Sequence, residues 1–414
     1  MTFFKRRFYR LLPILAVIGP GIIAGTADND AGGITTYSIA GANFGYSLLW
    51  ILLLTTFSLA ITQEIGARMG IATGKGLASL IREKFGLRWT TLIMSFLVIA
   101  NLGVTAANFA GVAVAFEIFH VPRFFSVPIA AFIVYLMITK GSFKTLERAF
   151  LILSSFYLVY VASAILARPD WGLAIKNLTV PAVQFSKGYL LTAIAVVGTT
   201  ITPWGQFFIQ DYVVDKKLST KDLKIERGDV FFGAFLTNFI SFFIIVACAA
   251  TIFATGKSIV DAGDAAMALK PLAGDMTFFL FAFGILNASL FGASILPVST
   301  AYVITEAFGF ESGLNLSFKE APQFYGIFTF FLVVGAIIVA LPIIPLIHIL
   351  FLVQVLNAIL LLPIFVFVYL LSNDRKVLHG YVNGKIVNII ILFTLFAITL
   401  ASIAYLFSFI LGKN

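Results

Sequence analysis

Two short polar segments interrupt long apolar stretches of this chain, and both contain groups that can bind a cation. The first, residues 25–33, contains Asp28 and Asp30, and the second, residues 198–205, contains three threonines and Pro203. A carboxylate at mid-membrane depth is energetically costly and usually serves a function. Paired interruptions in the two halves of a polytopic membrane protein indicate a transporter's binding site. The sequence therefore predicts two broken helices that meet at such a site.

The two segments offer oxygen ligands and neither sulfur nor imidazole. The available ligands are the two carboxylates, the hydroxyls of Thr199 and Thr202, and the free carbonyls at the ends of the interrupted helices. Every Met, Cys and His lies elsewhere in the chain. Oxygen surroundings suit Mg²⁺, Ca²⁺ or Mn²⁺ better than softer metals. Local roles stay open, because either aspartate can cap a helix and the threonines can bond to helix carbonyls. The glycines of both segments are expected to permit unwinding and to leave a roomy site.

The composition predicts a bundle of membrane-spanning helices around these segments. Of 414 residues, 60% are hydrophobic and only 11% are charged, which is typical of a polytopic α-helical membrane protein. A requirement of about 20 apolar residues per crossing gives about eleven spans. The eighth is expected to be broken by Gly284, Asn287, Gly292 and Pro297. The expected spans are residues 12–39, 45–70, 90–118, 124–139, 149–167, 188–213, 230–254, 276–306, 323–346, 349–372 and 386–411.

The basic residues predict the orientation of the chain. Most of the 28 Lys and Arg residues lie in alternate connecting segments, which favours a cytoplasmic N-terminus and an external C-terminus in the plasma membrane. The net charge of +9 is thereby explained without a nucleic-acid partner. A single cysteine, Cys248, excludes an intramolecular disulfide framework.

The spacing of the two interruptions predicts an inverted repeat. They lie five spans apart, and an odd number of crossings gives the two halves opposite topologies. The expected division is a first five-helix repeat at 1–170, a second at 185–373 and an additional C-terminal helix at 385–414, all within one membrane domain.

Several motifs in order resemble the NRAMP (natural resistance-associated macrophage protein) family of divalent metal transporters. The resemblance implies eleven or twelve helices in an inverted 5+5 repeat, the LeuT-like fold, with helices 1 and 6 broken. The motifs are Gly19-Pro20-Gly21, Ala40-Gly41-Ala42-Asn43-Phe44-Gly45-Tyr46, Ala67-Arg68-Met69-Gly70-Ile71-Ala72-Thr73-Gly74-Lys75 and Ser372-Asn373-Asp374-Arg375-Lys376.

The resemblance also assigns roles within the two interruptions. Asp30 matches the family's metal-binding aspartate, whereas Gly33 stands where the family has an asparagine ligand. Thr202 replaces the methionine that selects transition metals, and Trp204 replaces a histidine. Thr199 stands where the family usually has an alanine that binds the metal through its backbone carbonyl. These departures look like the NRAMP-related magnesium transporter branch, which takes a largely hydrated Mg²⁺ and also Mn²⁺.

The resemblance further implies weak or absent proton coupling. The matching part of span 3 has Asn101, Asn108 and Gly111 in place of acidic residues, and span 6 has no histidine. On span 10, Gln354 and Asn357 lie near where family members supply a polar side chain to the metal. Interhelical hydrogen bonding is the alternative role for both, as it is for Asn108.

The sequence thus predicts a secondary transporter that imports hydrated divalent cations, chiefly Mg²⁺, by alternating access. It is expected to act as a monomer in the lipid bilayer, without a cofactor other than the transported Mg²⁺ or Mn²⁺, and not as an enzyme. The alternatives are a proton-coupled Mn²⁺ or Fe²⁺ symporter and an amino-acid carrier of the same fold. The candidate metal-binding residues are Asp30, Asp28, Gly33, Thr199, Thr202, Gln354 and Asn357.

Overall fold

Helices make up most of the chain in the computed structural model, which describes residues 19–140, 155–259, 262–311, 313, 316–341 and 343–410. The α-helices are α1 Pro20–Ala27, α2 Ala31–Phe44, α3 Leu49–Thr73, α4 Leu77–Phe85, α5 Leu87–Glu117, α6 Arg123–Lys140, α7 Leu158–Leu166, α8 Trp171–Thr179, α9 Lys187–Thr200, α10 Pro203–Asp215, α11 Leu223–Thr251, α12 Ala262–Ala266, α13 Lys270–Ala273, α14 Thr277–Phe308, α15 Pro322–Ala340, α16 Leu346–Ser372, α17 Arg375–Leu378 and α18 Lys385–Ile410. Short 3₁₀ turns are Ser155–Tyr157, Phe253–Thr255, Met267–Leu269 and Gly274–Met276.

Within the described ranges, nine helical stretches are long and apolar enough to cross a membrane. The predicted first span is not among them because it is split into α1 and α2. The predicted fifth span, 149–167, lies partly outside the described residues, and α7 is its described end. The predicted sixth span is split into α9 and α10. The all-helical architecture with broken helices 1 and 6 is confirmed.

The expected break in the eighth span is wrong, because α14 is one continuous helix of 32 residues. Its small residues serve close packing instead. A Cβ built on Gly292 would lie 2.3 Å from Asn108 Oδ1, and one on Gly284 would lie 2.9 Å from the Phe156 ring. Pro297 lies inside the helix. A proline is tolerated there because neighbouring groups in a helical bundle can satisfy the freed carbonyl.

The expected unwinding at the glycines of the two interruptions is also wrong. The breaks comprise only residues 28–30 and 201–202, and every glycine of both segments is helical. Neighbouring atoms occupy the space that a side chain would take. A Cβ on Gly32 would lie 1.9 Å from Gln354 Nε2, and one on Gly198 would lie 2.0 Å from the Gln354 carbonyl oxygen. In this conformation, atoms of Gln354 therefore occupy the space beside Gly32 and Gly198 that was expected to be open.

The two broken helices lie at the centre of the bundle. The pair α1 and α2 packs along α11, while α9 and α10 pack against α16 and α3. Helix α5 packs against α14, α15 and α16, and α14 packs against α15, so that these four helices complete the wall around the breaks. The outer faces carry exposed large apolar side chains such as Phe57, Ile129 and Ile389, as expected of a surface in contact with lipid.

A partly buried charge cluster joins α3 to α11 at one end of the bundle. Glu64 and Arg68 form an ion pair at 3.1 Å, and Arg227 in the first turns of α11 adds a second contact to Glu64 at 2.7 Å. Arg68 also donates to the Asn383 side-chain oxygen at 2.7 Å. These bonds tie the segment before α18 to the helices around the site.

Candidate functional site

The first break places two carboxylates between α1 and α2. Asp28 follows the last residue of α1, and Asp30 is the N-cap of α2, where its Oδ1 accepts a 2.9 Å hydrogen bond from the Gly33 amide. The capping role left open for Asp30 is therefore present in the structure. Capping satisfies an otherwise free amide of the first turn, and it fixes the direction of the Asp30 side chain.

The second break repeats this arrangement with a hydroxyl. Thr202 is the N-cap of α10 and accepts a 3.3 Å hydrogen bond from the Gly205 amide. Pro203 occupies the first helical position, where its missing amide hydrogen is not needed. Thr200 bonds back to the Val196 carbonyl at 2.7 Å, as the alternative role for these threonines predicts. Thr199 has a buried hydroxyl with no hydrogen-bond partner among the described residues.

A direct hydrogen bond joins the two breaks. Thr202 Oγ1 donates to Asp28 Oδ1 at 3.0 Å, across 174 residues of sequence. A Cβ built on Gly33 would lie 2.5 Å from the Asp28 carbonyl oxygen and 3.2 Å from Thr199 Oγ1. Both oxygens therefore approach the same point, which only a residue without a side chain leaves open. The predicted residues of the first and second breaks thus lie together.

A third helix reaches the site through Asn108. Its Nδ2 on α5 donates to Asp30 Oδ2 at 2.8 Å and to the Val104 carbonyl at 3.0 Å, while its Oδ1 has no partner among the described residues. Asn108 is predicted above to make interhelical hydrogen bonds, and one of them is to the central carboxylate. Asn101 lies seven residues earlier on the same helix and bonds Thr300 at 2.7 Å. That seven-residue spacing is the sequence signal for one polar face.

The two predicted residues of α16 occupy different positions. Gln354 packs against Gly32, next to Asp30, and its Nε2 has no partner among the described residues. Asn357 donates to Gln354 Oε1 at 2.9 Å. Asn357 therefore contacts the predicted site through Gln354, and its own Oδ1 is buried without a described partner.

Asn29 is absent from the predicted site residues, yet it has the most extensive bonding in the first break. Its amide nitrogen donates to the Thr237 carbonyl at 3.1 Å and hydroxyl at 3.0 Å, and its oxygen accepts from Ser241 at 3.0 Å. The sequence signal is the i, i+4 pair of hydroxyl residues on α11. Because Asn29 lies between the two aspartates, these bonds hold both of them in position.

Helix α1 is attached to α11 along its whole length. Asp229 Oδ2 accepts from the amides of Gly21 at 2.7 Å and Gly19 at 3.1 Å, which caps the start of α1 from a neighbouring helix. A Cβ on Gly25 would lie 2.7 Å from the Gly233 carbonyl oxygen, so the two backbones touch. Close backbone approach at small residues is a common mode of helix association in membranes.

The site is closed to solvent and rich in oxygen. Asp28 and Asp30 are 2% and 4% exposed, and Thr202 is 4% exposed. Asp28 Oδ2 and Thr199 Oγ1 are buried without described partners. No Lys or Arg of the described ranges forms an ion pair with either aspartate. Buried polar oxygens without a partner are uncommon in folded proteins, and buried carboxylates are normally paired or bound to a metal. This arrangement can attract a cation.

An aromatic column extends from the second break along α10. Trp204 is buried and lies 5.4 Å from the Phe208 ring, which stacks at 5.2 Å on Tyr212. The spacing of four residues places the three rings on one face of α10. Gln206, just past the break, is buried with no described partner for its amide group. The column therefore packs along α10 for about two turns from the second break.

Comparisons with known proteins agree with this architecture. The family model described as natural resistance-associated macrophage protein-like matches residues 21–408. The divalent metal cation transporter MntH of Bacillus subtilis (strain 168) is 30% identical over 308 residues, covering 70% of this chain and 70% of that protein. MntH of Deinococcus radiodurans is 29% identical over 326 residues, covering 74% of this chain and 72% of that protein.

Solved structures are similar over almost the whole chain. The Eremococcus coleocola manganese transporter, in complex with an aromatic bis-isothiourea substituted compound, superposes with a TM-score of 0.78 at 21% identity, covering 97% of this chain and 87% of that one. MhsT in complex with L-phenylalanine superposes with a TM-score of 0.60 at 15% identity, covering 95% and 97%. At these identities the likeness concerns the fold.

Proposed function

Because this chain belongs to the natural resistance-associated macrophage protein-like family, we propose that it carries divalent cations, chiefly Mg²⁺ and also Mn²⁺, into the cell across the plasma membrane. The chain is a multi-pass membrane protein and not an enzyme, and the relatives reported above are named as transporters of divalent metal cations or of manganese. The proposal is supported above all by the hydrogen bond from Thr202 to Asp28 that joins the two breaks. Around this bond, the carboxylates of Asp28 and Asp30 lie close to hydroxyl and carbonyl oxygens.

The donor set favours a hard ion. Asp28 and Asp30 supply charge, Thr199 and Thr202 supply hydroxyls, and Gln354 supplies an amide. Sulfur ligands select softer metals, whereas carboxylate, carbonyl and water suit Mg²⁺, Ca²⁺ and Mn²⁺. Because Thr202 occupies the capping position of α10, this helix presents a hydroxyl and no thioether to an ion.

The ion keeps most of its water in this proposal. Mg²⁺ dehydrates reluctantly and is usually bound through one or two carboxylates with several retained waters. In the closed conformation Gln354 and the Asp28 carbonyl fill the space beside Gly32 and Gly33. A hydrated ion therefore requires a conformation in which the hydrogen bond from Thr202 to Asp28 is open. Asp30 then accepts hydrogen bonds from the water shell.

Transport proceeds by alternating access around the two breaks. The proposed repeats, 1–170 and 185–373, rock around the site, with the N-terminus cytoplasmic, the helix at 385–414 appended and one chain sufficient for function. A membrane potential of about 100 mV supplies about 4.6 kcal/mol to a divalent cation. This driving force makes uptake feasible without a second ion.

Protons are not coupled in this proposal. The polar groups that α5 brings to the centre are Asn108, bonded to Asp30, and Asn101, bonded to Thr300. Gly111 packs against Ala31 and Ser289 instead of carrying an acid. Amides do not titrate, so α5 supplies no proton relay beside the carboxylates.

Ion uptake into proteoliposomes under a fixed inside-negative potential tests the proposal, with a luminal pH dye in parallel. We expect Mg²⁺ and Mn²⁺ entry by the unmodified protein, no acidification beyond that of empty vesicles, and no uptake by Asp30→Ala. Stoichiometric acidification during Mn²⁺ entry without Mg²⁺ entry would instead support a proton-coupled Mn²⁺ symporter. Unchanged uptake by Asp30→Ala would overturn the site.

A further inference from the structure

A second group of carboxylates lies away from the two breaks, at a cavity of about 170 Å³ between α10 and α14. It is lined by Asp211 of α10, by Glu306 of α14 and by Gly76, which lies just before α4. None of these residues belongs to the site proposed above. The positive-inside prediction places this end of the bundle in the cytoplasm.

The two carboxylates converge on a single glycine. The Gly76 amide donates to Glu306 Oε1 at 2.8 Å. A Cβ built on Gly76 would lie 2.1 Å from Glu306 Oε2 and 2.2 Å from Asp211 Oδ1. Both oxygens of Asp211 and Oε2 of Glu306 are buried without a hydrogen-bond partner among the described residues. No described Lys or Arg forms an ion pair with either residue, so the crowded negative charge lacks a protein counter-charge.

An independent observation comes from Ser299 on α14. It lines the same cavity and is only 4% exposed, yet its hydroxyl forms no hydrogen bond with any described residue. Ser289 and Ser294 of the same helix instead bond to the carbonyl four residues earlier, at 2.5 and 2.6 Å. A serine in a helix either bonds back to such a carbonyl or directs its hydroxyl away from the helix. The free hydroxyl of Ser299 therefore presents an oxygen to the cavity.

We propose that Asp211, Glu306 and Ser299 form a second binding site for a hydrated divalent cation. The volume accommodates several water molecules, each of which takes about 30 Å³ in the liquid. A proton shared between two carboxylates needs neither this volume nor a third oxygen. Hydrated cations are commonly held by one or two carboxylates with retained water.

The position of the cavity makes it a station on the path of the transported ion, an assignment that rests on the proposed function. Both helices that line it also touch the central site. Helix α10 begins beside Thr202, and α14 packs Gly292 against Asn108, which bonds Asp30. Asp211 lies about 13 Å along α10 from Thr202, at 1.5 Å per residue. Phe208 and Tyr212 line the cavity and lie on the α10 face that begins at the break.

Mn²⁺ binding to the purified protein tests the second site, measured by calorimetry and by the electron paramagnetic resonance of free Mn²⁺. In the Asp30→Ala background we expect one remaining Mn²⁺ per chain. Adding Asp211→Asn and Glu306→Gln weakens that binding by about tenfold or more, because ligand charge sets affinity for such ions. The matched control is Asp215→Asn, which removes one exposed charge from the same cavity and leaves the remaining binding in place.

A steric variant keeps every charge and tests the geometry alone. Gly76→Ala places a methyl group against both carboxylates and should abolish the remaining Mn²⁺ binding, whereas Gly228→Ala, with no atom within 4 Å of its Cβ, should not. Equal Mn²⁺ binding with and without the two carboxylate substitutions would overturn the second site. Absence of uptake by the unmodified protein, with Asp211-dependent binding intact, would overturn the proposed function and leave the second site standing.

Discussion

The two helix breaks share a capping geometry and differ in everything that concerns charge. The first is capped by a carboxylate, Asp30, and carries a second one, Asp28. The second is capped by the hydroxyl of Thr202 and has no formal charge. Each helix is therefore interrupted with the same capping geometry, whereas the formal negative charge that could attract a cation lies in the first break.

The breaks also differ in how neighbouring helices hold them. Asn29 binds the first break to α11 through three hydrogen bonds, and Asn108 binds it to α5. In the second break, Thr202 donates its hydroxyl to Asp28 of the first. We therefore propose that the first break sets the position of the ion and that the second adapts to it and selects among ions.

The largest expected effect comes from removing the charge of the first break while keeping its cap. Asp30→Asn preserves a good N-cap side chain but removes a carboxylate. Mutation of groups that merely orient a metal ligand already lowers affinity by about 10–100-fold, so we expect Mg²⁺ uptake to fall by at least about 100-fold. Thermal unfolding of the detergent-solubilised protein should change little. If Asp30 is only a helix cap, uptake by Asp30→Asn stays normal.

The next effect separates anchoring from charge. Asn29→Leu removes three hydrogen bonds to α11 and should lower the free energy of unfolding by about 2–4 kcal/mol, although Ser241 keeps its bond to the Thr237 carbonyl and Thr237 its bond to the Gly25 carbonyl. Ser241→Ala removes one of those bonds and should lower it by about 1 kcal/mol. Both are measured by thermal and chemical unfolding, together with Mn²⁺ affinity. Equal stability of Asn29→Leu and the unmodified protein would show that the three hydrogen bonds of Asn29 do not anchor the first break.

Changes in the second break should alter selectivity more than affinity. Thr202→Met introduces a thioether beside Asp28, and the ratio of Mn²⁺ to Mg²⁺ uptake should rise because sulfur prefers softer ions. Thr202→Val is the matched control, since it loses the same cap and hydrogen bond without adding sulfur. It should lower stability by about 1 kcal/mol and leave the ratio unchanged. An equal shift in both variants would trace selectivity to the lost hydroxyl.

The smallest effect is expected at the surface, far from both breaks. Lys84 and Asp374 form an exposed ion pair at 2.5 Å, and such pairs contribute about 0–1 kcal/mol. Asp374→Asn should therefore leave uptake and ion affinity unchanged in the same proteoliposome measurement. A loss of uptake comparable to that of Thr202→Val would mean that this end of the bundle takes part in transport.

The sequence predicts the chemistry of the breaks better than their contacts. Asp30 and Thr202 stand out because a carboxylate and a proline-linked threonine are conspicuous in apolar stretches. Asn29 and Ser241 are 212 residues apart, and helices that are apolar all round give little sign of which face turns inward. The glycines mislead for a related reason, since they permit both unwinding and close packing, and only the neighbouring Gln354 decides for packing at Gly32.

The carboxylates at the second cavity show the same limit of prediction from sequence. Asp211 and Glu306 lie near the ends of separate helices, and nothing local predicts that both meet Gly76. Their convergence depends on how α10 and α14 pack at one end of the bundle. By contrast, the span positions follow from apolar length alone, and most of them agree with the observed helices to within a few residues.

The proposed ion site between the two breaks is tested most directly by anomalous diffraction from crystals of the unmodified protein and of Asp30→Asn, each soaked in Mn²⁺. We expect a strong peak between the two breaks, near Asp28, Asp30 and Thr202, that disappears in Asp30→Asn. We also expect excess Mg²⁺ to displace the peak. A peak of equal height in both proteins, or none between the breaks while the unmodified protein transports Mn²⁺, would contradict the proposed site.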